Sequence, residues 1–285
     1  MKKMIVLLFA FVLLGSMQGP VSAQNNLGTP PLDGVYHKQH IPNRVPVPYE
    51  HLREADVMWT KRIWRVIDMR QKINLPLYYP MDKQAGRQSL MQVIYNAVTE
   101  GTLTAYTTDN DEFLTQVSVD ELKKKLDKSD TITLTRPEPP YEEYDSMVSN
   151  PFRTSDVVLI RIKEDWFFDK QRSVMDVRII GICPITESYD AVTGEFRGYD
   201  PLFWVYFPDC RPLFAKYDVF NRYNDAERRS FDDIFWKRMF GSYIYKENNV
   251  YDRRIVQYAK FMDGLLEAER IKDDLFKVEH DLWEY

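Results

Sequence analysis

Apolar residues recur at helical spacing early in this chain, alternate with polar ones in its middle, and return to helical spacing at its end. Arg53 to Ile73 (READVMWTKRIWRVIDMRQKI) places Trp59, Ile63, Val66, Ile67 and Ile73 on one side of a helix, which predicts a long one. Glu54 and Asp56 would sit in its first turn, where the helix dipole favours acids, and Pro76 and Pro80 would stop it. Ser89 caps a second expected helix, Leu90 to Glu100, closed by Gly101. Thr102 to Thr107 is short and β-prone. Ser118 with Glu121 makes a capping-box pattern ahead of a basic helix, Val119 to Leu126.

The middle reads as β structure. Asp156 to Phe168 and Ser173 to Cys183 each alternate over part of their length, with the polar run Asp169 to Arg172 between them, so an antiparallel hairpin is expected. Asp190 to Asp200, holding Gly194 and Gly198, reads as a loop, and Pro201 to Phe207 as a short apolar strand in the centre of a sheet. Towards the end, Arg211 to Asn221 predicts a short helix. Ser230 with Asp233 opens another that ends near Gly241, and Asn248 or Asn249 caps a final helical region to Trp283. Ile271, Leu275, Val278 and Leu282 form the seam of that region, with Gly264 as a point of kinking or division. The expected class is α+β: N-terminal helices, a central antiparallel sheet and C-terminal helices, preceded by an extended arm. No repeat of solenoid length is present.

Before this pattern begins, Met1-Lys2-Lys3 and the eleven apolar residues Met4 to Leu14 precede Val21-Ser22-Ala23. That is the layout of a secretory leader over residues 1–23, cut between Ala23 and Gln24. The apolar run falls short of the roughly 20 residues of a membrane-spanning helix. Removing the leader leaves 36 basic against 43 acidic side chains, a net charge of −7. No Cys follows the cut, so the chain itself is not a lipoprotein. Residues 24–48 carry Pro30, Pro31, Pro42, Pro46 and Pro48, which disfavour helix and central strand. They form either an arm that orders on a partner or a plain loose terminus. The domain proper is then 49–285.

Aromatic residues make up 14% of the chain, so rings should be prominent in its core or its contacts. The net charge of −5 and the lack of a basic tail argue against nucleic acid as a partner. Cys183 and Cys210 are the two cysteines, compatible either with a disulfide in an oxidising compartment or with two buried thiols. The histidines are His37, His40, His51 and His280. His37-x-x-His40 is a weak metal pattern without a third ligand, and Glu279-His280-Asp281 on a helix would point three ways rather than form a triad. No nucleophile elbow, phosphate loop or dinucleotide fingerprint occurs. The acid pairs Asp232-Asp233 and Asp273-Asp274 read as solvated helix faces. No catalytic, cofactor-binding or metal residue is assigned. Among the Trp residues of the first segment lie Lys61, Arg62, Arg65 and Arg70. Trp59, Arg62, Trp64 and Arg65 are the candidate partner-binding anchors, against the plainer reading of a core stripe with a charged face.

Long strings in the chain resemble one family. They include Arg53-Glu-Ala-Asp-Val-Met-Trp59, Lys61-Arg-Ile-Trp-Arg-Val-Ile-Asp68, Pro76-Leu-Tyr-Tyr-Pro80 and Lys163-Glu-Asp-Trp-Phe-Phe-Asp169. Others are Arg178-Ile-Ile-Gly-Ile182, Phe203-Trp-Val-Tyr-Phe-Pro208, Ser230-Phe-Asp-Asp-Ile-Phe235, Ser242-Tyr-Ile-Tyr-Lys246, Asn249-Val-Tyr-Asp-Arg253 and Glu279-His-Asp-Leu-Trp283. Over roughly 45–285 the chain resembles the GldN/PorN family of Bacteroidetes gliding and type IX secretion machinery. The resemblance implies a non-enzymatic periplasmic component without cofactor. It also implies a ring under the outer membrane built with a GldK/PorK-like lipoprotein, and contact with the periplasmic part of a GldM/PorM-like motor protein. On that reading the Pro-rich arm is expected to dock on the lipoprotein. The competing expectations are a periplasmic hydrolase and a glycan- or peptide-binding module.

Overall fold

The computed structural model describes residue 35 and residues 43–282, except 85, 136–142, 151, 191–194 and 225; over 128–135 and 143–150 it describes the backbone. The leader, most of the arm and the Pro-rich stretch Arg136 to Tyr141 lie outside the described residues. Gln39–Tyr285 form one compact unit. In chain order the elements are β1 (Val57–Asp68), α1 (Leu75–Tyr78), α2 (Leu90–Thr99), β2 (Ala105–Tyr106), β3 (Gln116–Val117), α3 (Val119–Leu126), β4 (Lys128–Thr135) and β5 (Glu143–Asn150). Then come β6 (Val157–Asp169), β7 (Val174–Tyr189), β8 (Phe196–Pro201), β9 (Trp204–Tyr206), α4 (Phe207–Phe214), α5 (Phe231–Trp236), β10 (Tyr243–Glu247), α6 (Ile255–Tyr258) and α7 (Met262–Asp281). The fold is α+β.

The expected hairpin is the centre of the molecule. β6 and β7 pair antiparallel, and the sheet runs β10-β1-β6-β7-β9-β2-β3, with β8 also on β7. β4 and β5 form a separate two-stranded ladder. The short strand expected at Pro201 to Phe207 does lie inside the sheet, between β7 and β2, but it is only three residues long because Phe207 already begins α4, four residues ahead of the expected Arg211.

The long helix expected over Arg53 to Ile73 is instead β1, paired with β6 on one side and β10 on the other. The physical reason lies in the spacing. Trp59, Ile63 and Ile67 are four apart, which satisfies a period of 2 as well as 3.6. From Ile63 to Ile67 both faces are buried, so the alternation that would have identified a strand is lost. The last helical region starts at Ile255, after Arg254, rather than behind a cap at Asn248 or Asn249. β10 precedes the last helical region, which is split between α6 and α7 at Ala259 to Phe261 rather than at Gly264. Gly264 serves the split differently: a Cβ there would stand 3.0 Å from the Ala259 carbonyl, so glycine lets α7 start tight against that turn. Part of the expected loop at Asp190 to Asp200 is the edge strand β8.

One face of the sheet carries the main core. Leu90, Val93, Ile94 and Ala97 of α2 pack with Ile67, Ile160, Ile162 and Ile182 of the strands. Beside them Phe207, Phe214, Phe231 and Phe235 form a ring cluster with centroids 5.4–6.3 Å apart. Each such buried side chain is worth about 1.5–3 kcal/mol of transfer free energy. Three helices here begin as the sequence predicts. Ser89, Ser118 and Ser230 each accept from the backbone N–H three residues on, and the residue there reaches back. A second cluster, Ile63, Ile244, Ile255, Ile271 and Leu275, holds α6 and α7 to β1 and β10. On the opposite face Trp64 and Trp204 close over Cys183. The 107–115 loop lies there because β7 has Gly181 beneath it: an added Cβ would come 2.3 Å from the Phe113 ring.

Candidate functional site

The four anchors expected on one helix are distributed by the strand onto different surroundings. Trp59 is half-buried against the α6–α7 cluster. Arg62 is exposed and donates two hydrogen bonds, at 2.7 and 2.8 Å, to Asp165 on the neighbouring strand. Trp64 is buried, and its indole N–H donates to the Asp111 carboxylate. Arg65 is buried too. Of the four, Arg62 and the edge of Trp59 are the ones left at the surface.

Arg65 belongs to a charge cluster between the two helical cores. Its Nε donates to Oε1 of Glu164 at 2.6 Å, and Arg238 donates to the same carboxylate at 2.9 and 3.3 Å. Trp166 Nε1 adds a fourth donation at 2.8 Å. Glu164 is fully buried, so four donations replace its lost water. Both guanidinium groups also lie over the Trp166 ring, at 5.8 and 5.3 Å. Arg238 reaches this place from a left-handed residue, φ 52°.

A second assembly fixes the base of the arm, and sequence reasoning missed it. Arg211 on α4 donates to Asp232 on α5 at 2.9 and 3.3 Å, both side chains being nearly buried. The Arg211 guanidinium lies 4.2 Å from the Tyr49 ring and 4.8 Å from the Trp236 ring, which stack on each other at 5.5 Å. Arg178 covers Tyr49 at 5.0 Å and donates to the Glu50 carbonyl. Burial pushes the Tyr49 hydroxyl pKa up. Five residues earlier, Arg44 donates to both oxygens of Asp233, at 2.6 and 2.7 Å. Burial alone would raise Asp233, but bonds from Ser230 and Arg44 outweigh it and hold the carboxyl below its usual range. Asp232-Asp233 is therefore a pair of structural ion sites, not a solvated face. The other pair behaves as expected: Asp274 meets Arg270 at 3.2 Å on the surface and Asp273 is exposed. No local signal joins Tyr49 to residues some 160 positions away. The one legible part is Asp233 as the third residue of its helix.

The two thiols and one ammonium group are held in the interior. Cys183 and Cys210 are two buried free thiols, the second of the alternatives the sequence allows; each points at a nearby carbonyl, of Pro184 and of Tyr206. Burial pushes the Cys183 thiol up to about 12, and Cys210 further in the same direction. Both thiols should therefore resist a small thiol reagent at about pH 8 in the native protein and react at once in concentrated guanidinium. Equal rates in the two conditions would refute their burial. The sign of the linkage follows: the unfolded chain loses these protons first, near 9, so their protonated burial supports the fold below that pH. The support is lost as pH rises towards 12. Burial lowers the Lys163 pKa, opposed by Asp111, whose carbonyl accepts from the ammonium at 2.5 Å. His51 and His280 are exposed, and His37 and His40 lie outside the described residues. Among the described residues no three of His, Cys, Asp and Glu converge as a metal site, and no helix is long and apolar enough to cross a membrane.

Comparison with curated proteins finds no match. Comparison with protein families does: residues 52–284, from just after Tyr49 through α7, match the family described as gliding motility associated protein GldN. The match takes in β1, the central hairpin and α7 alike, so the chain belongs to the GldN family.

Proposed function

We propose that this chain is a non-enzymatic structural component of the type IX protein secretion machinery, and of gliding motility in cells that glide. In this reading it works in the periplasm, at the inner face of the outer membrane, once its leader is removed. It builds a ring with a GldK/PorK-like lipoprotein and with further copies of itself, and it contacts the periplasmic part of a GldM/PorM-like motor protein. The observation that carries the proposal is the family match across 52–284.

The chemistry of the chain supports it. The arginines and acids singled out above are used to pin strands and helices to one another. The apolar surface left over includes Met58, Tyr79, Tyr223, Phe261 and Leu266, all at least 49% exposed. The base of the arm, from Arg44 to Glu50, is tied to the chain's own domain; we assign the rest of the arm to the lipoprotein.

Deleting the gene for this chain should abolish export of type IX cargo, with secretion restored by the intact chain. Gentle detergent extraction should recover the chain in very large particles together with a lipoprotein. Unimpaired secretion in the deletion strain, or recovery of the chain as a solitary species, would overturn the proposal. A ligand-dependent rise in Tm with a glycan or peptide would favour a binding module instead.

A further inference from the structure

α7 is a twenty-residue helix, about 30 Å long at 1.5 Å per residue, yet only Ile271 and Leu275 of it are buried. Its outward side is not the polar face such a helix should present. Met262, Leu265, Leu266 and Phe276 are 66, 59, 62 and 65% exposed. With Glu269, which Lys272 meets at 3.1 Å on the surface, and Asp273 they fall at i, i+3, i+4, i+7, i+11 and i+14, one continuous stripe opposite the buried seam. A helix apolar on two sides has a second surface to cover.

A groove of about 930 Å³ lies between α1 and the segment 220–223. Its apolar lining includes Ile73, Tyr79, Phe220 and Tyr223, which are 48–90% exposed. Its charged lining is Lys72, Arg87 and Arg222, and among the described residues no carboxylate lines it. Arg87 sits 5.5 Å over the Phe220 ring. In a chain of net charge −5, an apolar hollow edged only with cations is a local reversal of sign.

We infer that the outward stripe of α7 on one copy seats in this groove on a second copy. The stripe offers apolar anchors with two acids set between them; the groove offers apolar walls with three cations. This is the helix-in-groove mode of recognition, with charge choosing the partner and its register. The two surfaces are different patches of one chain, so the contact is heterologous: each copy gives a helix to one neighbour and a groove to another, and the copies join head to tail. The inference rests on the reading that copies of this chain assemble, and it assigns that assembly its residues.

Sedimentation velocity on the purified chain over a concentration series tests it. The wild type should associate with rising concentration. Lys72→Glu with Arg222→Glu, or Glu269→Lys with Asp273→Lys, should each weaken association at least tenfold; all four residues are exposed, so Tm should hold. Mixing the two variants should restore association, because a reversed groove then meets a reversed helix, and the fourfold variant should also associate. A wild type that stays monomeric, variants that associate as it does, or a mixture that remains monomeric would each overturn the inference. If the chain is monomeric yet still recovered in large particles with the lipoprotein, this inference fails and the secretion reading stands without it.

Discussion

Replacing Glu164 by Ala should lower the stability of the domain by about 3–5 kcal/mol, the usual effect of removing one partner from a buried ion pair. At roughly 2–4 °C per kcal/mol for a domain of this size, Tm should fall by about 6–20 °C. Glu164 is the carboxylate that Arg65, Arg238 and the Trp166 N–H share at the seam between the two helical cores, Arg65 also reaching the Ser242 hydroxyl at 3.5 Å. Without it Arg65, only 8% exposed, keeps its charge with no carboxylate beside it. Arg238→Ala should cost less, because its side chain is 29% exposed and Arg65 still neutralises Glu164. Arg65→Met combined with Glu164→Leu and Arg238→Met removes charge from both sides and should recover much of the loss. Thermal unfolding of the series decides it. Equal effects for Glu164→Ala and Arg238→Ala would show that the carboxylate is not the centre of the cluster.

How much of this was readable in the sequence depends on how local the determining signal is. The caps at Ser89, Ser118 and Ser230 are three-residue patterns, and the structure forms all three. The β6–β7 turn is likewise written in four adjacent polar residues. β1 was misread because burial on both faces erases the alternation that distinguishes a strand. Its identity is fixed by partners about 100 and 180 residues away, which no local window contains. The same limit hides the function-bearing surfaces. Trp64 and Arg65 look like interface anchors in sequence, and only the pairing of β1 with β6 shows that they face inward. Conversely, half of the expected seam was legible: Ile271 and Leu275 are buried, whereas Val278 is half-buried and Leu282 exposed, and the apolar stripe on the other side of α7 shows only in the packed helix.

Arg211→Ala should have two separable effects. The first is on stability: Asp232, 7% exposed, loses its bidentate partner, which by the same argument costs about 3–5 kcal/mol. The second is on the base of the arm. The guanidinium is the cation against which Tyr49 and Trp236 both pack, and a desolvated cation–π contact adds about 2 kcal/mol. With it gone, the segment around Tyr49 keeps Arg178 and the Arg44–Asp233 pair but the Tyr49 ring loses its nearer cation, so a protease should cut near residues 45–52 at least several-fold faster. Pairing Arg211→Met with Asp232→Leu separates the two. It leaves no buried charge, so Tm should return towards wild type, while the aromatic rings still lack their cation and cleavage should stay fast. If cleavage slows in step with the recovery of Tm, the arm is held by general stability and the Tyr49 clamp has no role of its own. If it stays fast in a stable protein, Arg211 holds the segment around Tyr49 by its ring contacts, apart from its part in stability.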